Sequence, residues 1–217
     1  MHVTYPVILG SADIIKANRR VYKMPQTFTF ENLSKDNIKE SSVIVYKAFN
    51  KYSAEKNEPS IPDPSIVEGR LNEYISDTGI PSLFFGGYLD GRQISFMMIR
   101  KLGMDDESWE IQMLSVDPEY QRQGYGRKMI ENALLEILAQ KGVLALCAVT
   151  ENNDVALKLF ADAGFECEAS GIQIAENMFI WMLRKDMKNQ MAEEAAKAER
   201  EAEKKALEGT EEIKITM

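Results

Sequence analysis

Residues 121–126, Gln-Arg-Gln-Gly-Tyr-Gly, have the types and spacing of a phosphate-binding turn. Glycine has no Cβ, so Gly124 and Gly126 allow backbone N–H groups to approach a ligand closely. Apolar residues at helical spacing follow over 129–138, and the N–H groups that begin a helix are unpaired donors suited to a diphosphate. Three basic residues add positive charge at the same end: Arg122, Arg127 and Lys128. The segment is therefore predicted to bind a phosphate-bearing ligand.

Two common phosphate-binding motifs are excluded for this segment. A dinucleotide fingerprint requires a third glycine at position 129, which is Met129. A triphosphate-binding loop requires Gly-Lys followed by Ser or Thr, and this tripeptide does not occur in the sequence. A Gly-x-Gly pair on its own also forms an ordinary tight turn, so the surrounding elements must decide between a ligand site and a plain turn.

The elements around the turn place it between a strand and a helix. Residues 109–116 alternate as a strand does and end at a turn over 117–119. After the helix, the apolar run 143–149 is typical of a buried strand. The next helix has apolar residues on one side over 155–163 and ends at Gly164, a residue type that favours a left-handed cap. The predicted order is strand, turn, helix, strand, helix.

Two short signatures in this order resemble those of the GCN5-related N-acetyltransferase (GNAT) family. The first is Gln/Arg-x-x-Gly-x-Gly/Ala, matched by 121–126 after a strand that ends in Val-Asp-Pro. The second is Asn-x-x-Ala, an aromatic residue and then Gly-Phe, matched between Asn153 and Phe165. The resemblance is specific over 108–165 and loose over 27–185. It implies an enzyme that transfers an acetyl group from acetyl-CoA by direct attack of a primary amine, on a small molecule or a protein.

The resemblance also implies which residues contact acetyl-CoA. In the family the turn holds the pyrophosphate, and the backbone of the preceding strand pairs with the pantetheine arm. One backbone N–H of that strand also faces the oxyanion that develops on the thioester. The implied contacts are Leu114, Val116, Gln121, Arg122, Gln123, Gly124, Tyr125, Gly126, Arg127 and Asn153. The neighbouring Asn152 is expected to be the helix cap.

Glu110 is implied as the general base by the same resemblance. It lies six residues before Val116, the spacing at which histone-acetyltransferase relatives carry a glutamate base. Strand alternation places it on the face shared by Gln112, Leu114 and Val116. A carboxylate partly buried in such a cleft has a raised pKa and is suited to accept a proton from an ammonium group. The alternative is an ordinary strand residue that faces solvent.

The general acid is where the sequence departs from the family. Many members have a tyrosine at the aromatic position of the second signature, and this chain has Phe160. Tyr120 and Tyr125 are near in sequence, but nothing in the pattern directs either hydroxyl to the cofactor sulfur. The departure leaves a second function open: a catalytically weak acyl-CoA sensor or interaction module with the same fold.

The resemblance implies an α/β (α+β) fold, with a mixed, mostly antiparallel sheet that is flanked by helices and splayed at the cofactor strand. The remaining pattern predicts a strand at 27–30, helices at 35–52 and 63–79, a hairpin around 90–91, and a last strand at 178–183. Loops near 50–65, 102–107 and 168–177 are expected to set acceptor specificity. Their acidic residues favour a cationic amine, and a generally acidic surface explains them equally well.

Three segments are predicted: an N-terminal extension at 1–25, the acetyltransferase domain at 26–186, and a charged helical tail at 187–217. The tail has Glu and Lys pairs at helical spacing. Its apolar stripe is too thin for a convincing coiled coil. A solvated helix is the simpler interpretation, and an arm that holds a homodimer together is the alternative.

The composition excludes several other classes of protein. The net charge is −8 with no basic stripe outside the turn, so nucleic acid is not expected as a partner. There is no apolar signal segment and no run of roughly 18 apolar residues, so a cytoplasmic protein without a membrane span is expected. One histidine and two cysteines are too few for an ordinary zinc site, and no metal is expected.

Overall fold

A computed structural model describes residues 27–175 and 178–189 apart from 78 and 103–106, together with positions 192, 193, 196 and 200. The predictions for the N-terminal extension and for most of the tail lie outside the described residues. The strands of the described part are β1 (Phe28–Asn32), β2 (Ser82–Leu89), β3 (Arg92–Lys101), β4 (Ser108–Val116), β5 (Leu144–Thr150), β6 (Glu166–Ala175) and β7 (Met178–Asp186). The α-helices are α1 (Ile38–Lys56), α2 (Pro64–Ser76), α3 (Tyr125–Ala139) and α4 (Asp154–Asp162).

The strands form one sheet in the order β1-β2-β3-β4-β5-β7-β6. Neighbouring strands are antiparallel except β4 and β5, which run parallel. The parallel pair is joined only from Ser108–Leu144 to Glu110–Leu146. Beyond that point each strand continues on its other neighbour alone, so the sheet splays between β4 and β5. The predicted fold class, a mixed and mostly antiparallel sheet flanked by helices, is confirmed.

Local chemistry explains the predicted hairpin and the start of α2. Asp90 and Gly91 both have positive φ, 50° and 83°, as a two-residue turn that matches the strand twist requires. The Asp63 side chain accepts the N–H of Ser65 and caps α2. The helix ends at Ser76 rather than at the predicted glycine, because Asp77 is extended and its side chain accepts the Gly79 N–H at 2.9 Å.

Helices cover both faces of the sheet. Successive residues of β3 belong in turn to two different hydrophobic clusters, so the two clusters lie on opposite faces of the sheet. Met97 and Ile99 belong to the cluster under α3 and α4, which we call the α3 face. Phe96 and Met98 belong to the cluster under α1 and α2, the α1 face. Each side chain of this size contributes about 1.5–3 kcal/mol when buried, so both helical layers are held firmly to the sheet.

Strand β6 is a correction to the sequence interpretation. Residues 168–177 were expected to be a loop, but Glu166–Ala175 pairs with β7. The strand lies at the edge of the sheet and is mostly exposed, and its apolar residues alternate only in two short stretches of opposite phase, Cys167/Ala169 and Ile172/Ile174. Its register with β7 shifts three times, which breaks the pattern further. The expected loop at 50–65 is likewise shorter, because α1 continues to Lys56.

Candidate active site

The gap between β4 and β5 begins where their backbone pairing stops, at Glu110 and Leu146. At the end of β4, the Asp117 N–H donates to the Ile94 carbonyl of β3 at 2.8 Å. Backbone groups alternate in direction along a strand, so the N–H and C=O groups of the alternate residues Leu114 and Val116 point away from β3 and into the gap. The free edge of β4 therefore offers backbone donors and acceptors along the opening.

A β-bulge divides β4 into two parts. Met98 pairs with Met113 and the next residue, Ile99, pairs with Ile111, so Gln112 is an extra residue on β4. The extra residue resets the alternation of side chains. The expectation that Glu110 shares a face with Gln112, Leu114 and Val116 is therefore wrong.

Packing shows which face each part of β4 presents. Met113 packs on the α1 face, and Leu114 packs on the α3 face. Glu110 pairs across the strands with Arg100, whose guanidinium lies over the ring of Tyr74 on α2. Glu110 therefore lies on the α1 face of the sheet, at the point where the gap opens.

The Glu110 carboxylate is half-buried and has no hydrogen bond or ion pair with any residue in the described part of the chain. Burial raises its pKa above the ordinary value, and the nearby Arg100 guanidinium offsets part of that rise. Arg100 itself is bound to Asp77 at 2.9 Å. A carboxylate with a raised pKa and no fixed partner is suited to accept a proton from a ligand.

The predicted phosphate-binding turn is open at its centre. Gly124 has a φ of 87° and is the N-cap residue of α3, and a Cβ at this position would meet nothing within 4 Å. No described side chain caps the helix. Glycine is required at position 126 for a different reason, because a Cβ added there would lie 3.1 Å from Leu159 Cδ2 on α4. The first glycine leaves room for a ligand at the helix end, and the second lets α3 and α4 approach each other.

Two glutamines hold the turn from within. The Gln121 amide donates to the Val116 carbonyl at 3.0 Å and accepts from Lys51 Nζ at 2.8 Å. The Gln123 amide donates to the Glu119 carbonyl at 3.1 Å. Both side chains therefore stabilise the loop, whatever contacts they make with a ligand.

The other predicted residues of the turn differ in whether their side chains are free to contact a ligand. Tyr125 is buried and stacks on Phe28, with ring centroids 5.4 Å apart. Arg127 pairs with Asp162 of α4 at 3.5 Å. Arg122 is exposed, has a φ of 63°, and forms no ion pair with a described residue. Among these three side chains, only Arg122 is left free for an anionic ligand.

The second signature begins at the N-terminus of α4. The Asn153 side chain accepts the Ala156 N–H at 3.1 Å, so Asn153 caps the helix and the expectation for Asn152 is wrong. Asn152 lies one residue too early and instead accepts from the Tyr52 hydroxyl and donates to Glu58. Capping uses only the side-chain oxygen of Asn153, and its amide nitrogen has no partner within the described chain.

The aromatic residue of that signature, Phe160, is part of the hydrophobic core. Phe160 is buried and meets Phe165 edge to face, with ring centroids 5.1 Å apart. The hydroxyl of Tyr120 accepts from Arg92. The network at the end of β5 contains a different tyrosine, Tyr52, which sequence reasoning missed because it lies about a hundred residues away on α1.

Neither cysteine has the setting of a nucleophile. Cys147 is buried on β5, and burial raises the pKa of its thiol far above the ordinary value. Cys167 is exposed on β6, which is separated from β4 by two strands. The described residues contain no group of three or more metal-ligating side chains. None of the described helices has the length and apolar character needed to cross a membrane.

Comparisons with known proteins agree on one fold. The ribosomal-protein-S18-alanine N-acetyltransferase of Escherichia coli is similar with a TM-score of 0.57 at 17% identity, over 74% of this chain and 94% of that one. A chimera of the Vibrio cholerae spermidine N-acetyltransferase SpeG and hSSAT is similar with a TM-score of 0.60 at 17% identity, over 75% and 96%. The Thermoplasma acidophilum Paia N-acetyltransferase, solved with coenzyme A, is similar with a TM-score of 0.56 at 15% identity, over 74% of this chain and 99% of that one. No curated protein matches the sequence.

This chain therefore shares the fold of these N-acetyltransferase structures, a mixed sheet flanked by helices. The model of the acetyltransferase (GNAT) family matches residues 46–165, more than half of the chain. The chain belongs to this family, whose members are acetyl-CoA-dependent N-acetyltransferases. The family, the class of enzyme and the acetyl donor predicted from the two signatures are therefore confirmed.

Proposed function

We propose that this protein transfers an acetyl group from acetyl-CoA directly to a primary amine, with Glu110 as the general base. The observation that carries the proposal is the state of Glu110. Its carboxylate is half-buried, forms no hydrogen bond or ion pair with a described residue, and stands where β4 and β5 separate. Partial burial of a carboxylate without a hydrogen bond costs folding free energy, which the charge of Arg100 offsets only in part.

Glu110 accepts the proton that makes the amine nucleophilic. A primary amine is mostly an ammonium ion at neutral pH, and an ammonium nitrogen cannot attack a carbonyl carbon. The raised pKa of Glu110 brings the carboxylate closer to the operating pH, where a general base is most effective. Because Glu110 lies on the α1 face, the amine approaches the gap from the side of α1 and α2.

The turn and the free edge of β4 fit the acetyl donor. The open space at Gly124 and the uncapped start of α3 suit the pyrophosphate, and the exposed Arg122 adds positive charge. The backbone N–H and C=O of Leu114 and the N–H of Val116 suit the amide-bearing pantetheine arm, and one of these N–H groups suits the developing oxyanion. The Val116 carbonyl already accepts from Gln121. Acetyl-CoA supplies the acetyl group as a thioester. The amide nitrogen of Asn153 is the remaining polar group proposed to contact it.

Direct transfer is favoured over an acetylated enzyme. Cys147 is the cysteine on the strand beside the gap, and its buried thiol is not a thiolate at neutral pH. Cys167 is separated from β4 by β5 and β7, a distance of about 14 Å at the usual strand spacing. Glu110 takes one proton from the ammonium, and the neutral nitrogen then adds to the thioester carbonyl carbon. The carbon–sulfur bond breaks with both of its electrons on sulfur, and the thiolate takes up, through solvent, the second proton that the nitrogen loses as the amide forms.

The acceptor is a primary amine of a small molecule or of a protein. The names of the similar structures include both kinds, spermidine and an alanine of ribosomal protein S18. A small-molecule amine is the first choice for a screen, and among such amines the acidic stretch near Glu55 and Glu58 favours a cationic one.

One observation favours a second function, an acyl-CoA sensor with little turnover. Phe160 carries no hydroxyl and is committed to the core, so it supplies no acid for the leaving thiolate. Glu110→Gln separates the two functions. For an enzyme the substitution lowers kcat by about 10²- to 10⁴-fold and leaves the Kd for acetyl-CoA unchanged, since the amide is isosteric but accepts no proton.

The measurement is initial-rate kinetics over a panel of primary amines, beside calorimetric titration of both proteins. Glu131→Gln, at an exposed position on α3, is the matched control and should keep full activity. A wild type that binds acetyl-CoA but turns over no amine would favour the sensor. Turnover that survives Glu110→Gln would remove Glu110 from the mechanism.

A further inference from the structure

Helix α1 presents polar side chains to both sides of the gap. Lys47 and Lys51 lie about one turn apart, as do Tyr52 and Lys56, and the second pair is rotated by about 140° around the helix from the first. The first two contact the turn that follows β4, and the last two contact the segment that follows β5. A single rigid element therefore touches both edges of the opening.

The contact on the β4 side is firmly anchored. Lys47 Nζ lies 3.0 Å from Asp117 Oδ2, and the Asp117 side chain is only 5% exposed. The same carboxylate accepts the Glu119 N–H at 3.1 Å, which fixes its orientation. Lys51 adds the contact to Gln121 at 2.8 Å. A charged hydrogen bond to a buried carboxylate is the strong kind.

The contact on the β5 side is made by the hydroxyl of Tyr52. It donates to Asn152 Oδ1 at 2.6 Å and lies 3.2 Å from Thr150 Oγ1, the last residue of β5. Asn152 Nδ2 in turn donates to Glu58 Oε1 at 2.8 Å. Lys56 and Asp154 are 3.9 Å apart at the surface, a pair that contributes little. Tyr52 is therefore the main tie between α1 and β5.

We propose that Tyr52 is a positioning residue which, with Lys47, fixes the width of the gap that receives the pantetheine arm of acetyl-CoA. The inference rests on the proposed function. Backbone pairing between β4 and β5 stops at Glu110 and Leu146, four residues before Thr150, so no ladder hydrogen bond sets their separation at the open end. The two side-chain ties from α1 set it instead. Tyr52 acts through the free end of β5 and does not touch the reacting atoms.

Comparison of two ligands with Tyr52→Phe tests the inference. ADP carries a diphosphate and reaches only the turn, whereas acetyl-CoA also fills the gap. Loss of the hydroxyl should raise the Kd for acetyl-CoA by about tenfold, mainly through faster dissociation, and leave the Kd for ADP unchanged. The KM for acetyl-CoA should rise while kcat at saturation stays within about twofold. Calorimetry, stopped-flow dissociation and steady-state kinetics measure these quantities.

Tyr46→Phe is the control, since Tyr46 is on the same helix and its hydroxyl has no hydrogen bond within the described chain. Asn152→Ala removes one of the two contacts of the Tyr52 hydroxyl, so its effect should be no larger than that of Tyr52→Phe and should not add to it. Equal losses for both ligands, or no loss for acetyl-CoA, would overturn the inference. A wild-type protein that fails to bind acetyl-CoA would instead contradict the proposed function.

Discussion

At the scale of single residues, the properties of Glu110 have one cause. Partial burial at the start of the gap raises the pKa of its carboxyl group and also separates it from solvent partners. The bulge at Gln112 turns this side chain to the α1 face, while the backbone of Leu114 faces the gap. The base and the groups that hold the donor therefore reach the same opening from different sides.

The raised pKa of Glu110 predicts that Glu110→Gln is more stable than the wild type at neutral pH. A raised pKa means that the folded state binds more protons than the unfolded state. Stability from this group is therefore present at low pH and is lost as pH rises from the ordinary value of 4.5 through the raised value. Glutamine does not ionise, so the variant keeps the folding stability that the wild type loses when Glu110 becomes charged.

Urea unfolding of both proteins at pH 4 and pH 7 measures this effect. The midpoints should nearly coincide at pH 4, where Glu110 is protonated, and differ at pH 7 in favour of the variant. Glu131→Gln should show no such change, because its side chain is exposed to solvent. A wild type that is more stable than the glutamine variant at pH 7 would mean that Glu110 is stabilised as an anion in the folded state.

At the scale of elements, the connection from α3 to β5 positions the start of β4. A Cβ on Gly142 would lie 2.5 Å from Trp109 Cδ1 and 2.6 Å from Ile137 Cγ2. Trp109 is buried and precedes Glu110 on β4, so close packing against a glycine keeps this end of the strand in place. The gap therefore depends on a position outside both signatures.

Gly142→Ala should cost about 1–3 kcal/mol of folding free energy, because the added methyl group overpacks the contact between Trp109 and Ile137. Gly69→Ala, in the exposed part of α2 where a Cβ would meet nothing within 4 Å, is the matched control. That change should instead stabilise by about 0.5–1 kcal/mol. Thermal and urea unfolding of the two variants and the wild type measure these changes in folding free energy. A stabilised Gly142→Ala would show that the contact relaxes without strain.

The sequence predicted the elements whose signals are local. Helix α2 begins at its cap and proline, the hairpin turns at Asp90 and Gly91, and the two signatures specified the family. The bulge at Gln112 could not be predicted, because it depends on how β4 registers with β3. Tyr52 was missed for the same reason, since its hydrogen bonds link positions about a hundred residues apart.

At the scale of the whole molecule, the sheet is continuous where β4 and β5 pair and open where these two strands separate. Helices α3 and α4 pack on one face and supply the open helix start, and α1 and α2 pack on the other face beside Glu110. The core also includes Met187, the first residue of the predicted tail, whose N–H donates to the Val143 carbonyl at 2.7 Å. We therefore propose that the folded domain extends at least to this residue.

The most direct test of the account is calorimetric titration with acetyl-CoA of the wild type, Gly124→Asp and Gly91→Asp. Both glycines have positive φ and open space beside them, so the two substitutions impose similar backbone strain. Only the first places a carboxylate at the start of α3, where it repels the pyrophosphate. We expect the wild type to bind acetyl-CoA, Gly124→Asp to lose affinity on the order of a hundredfold or more, and Gly91→Asp to bind with unchanged affinity. Equal affinity in all three proteins, or no binding by the wild type, would contradict this expectation.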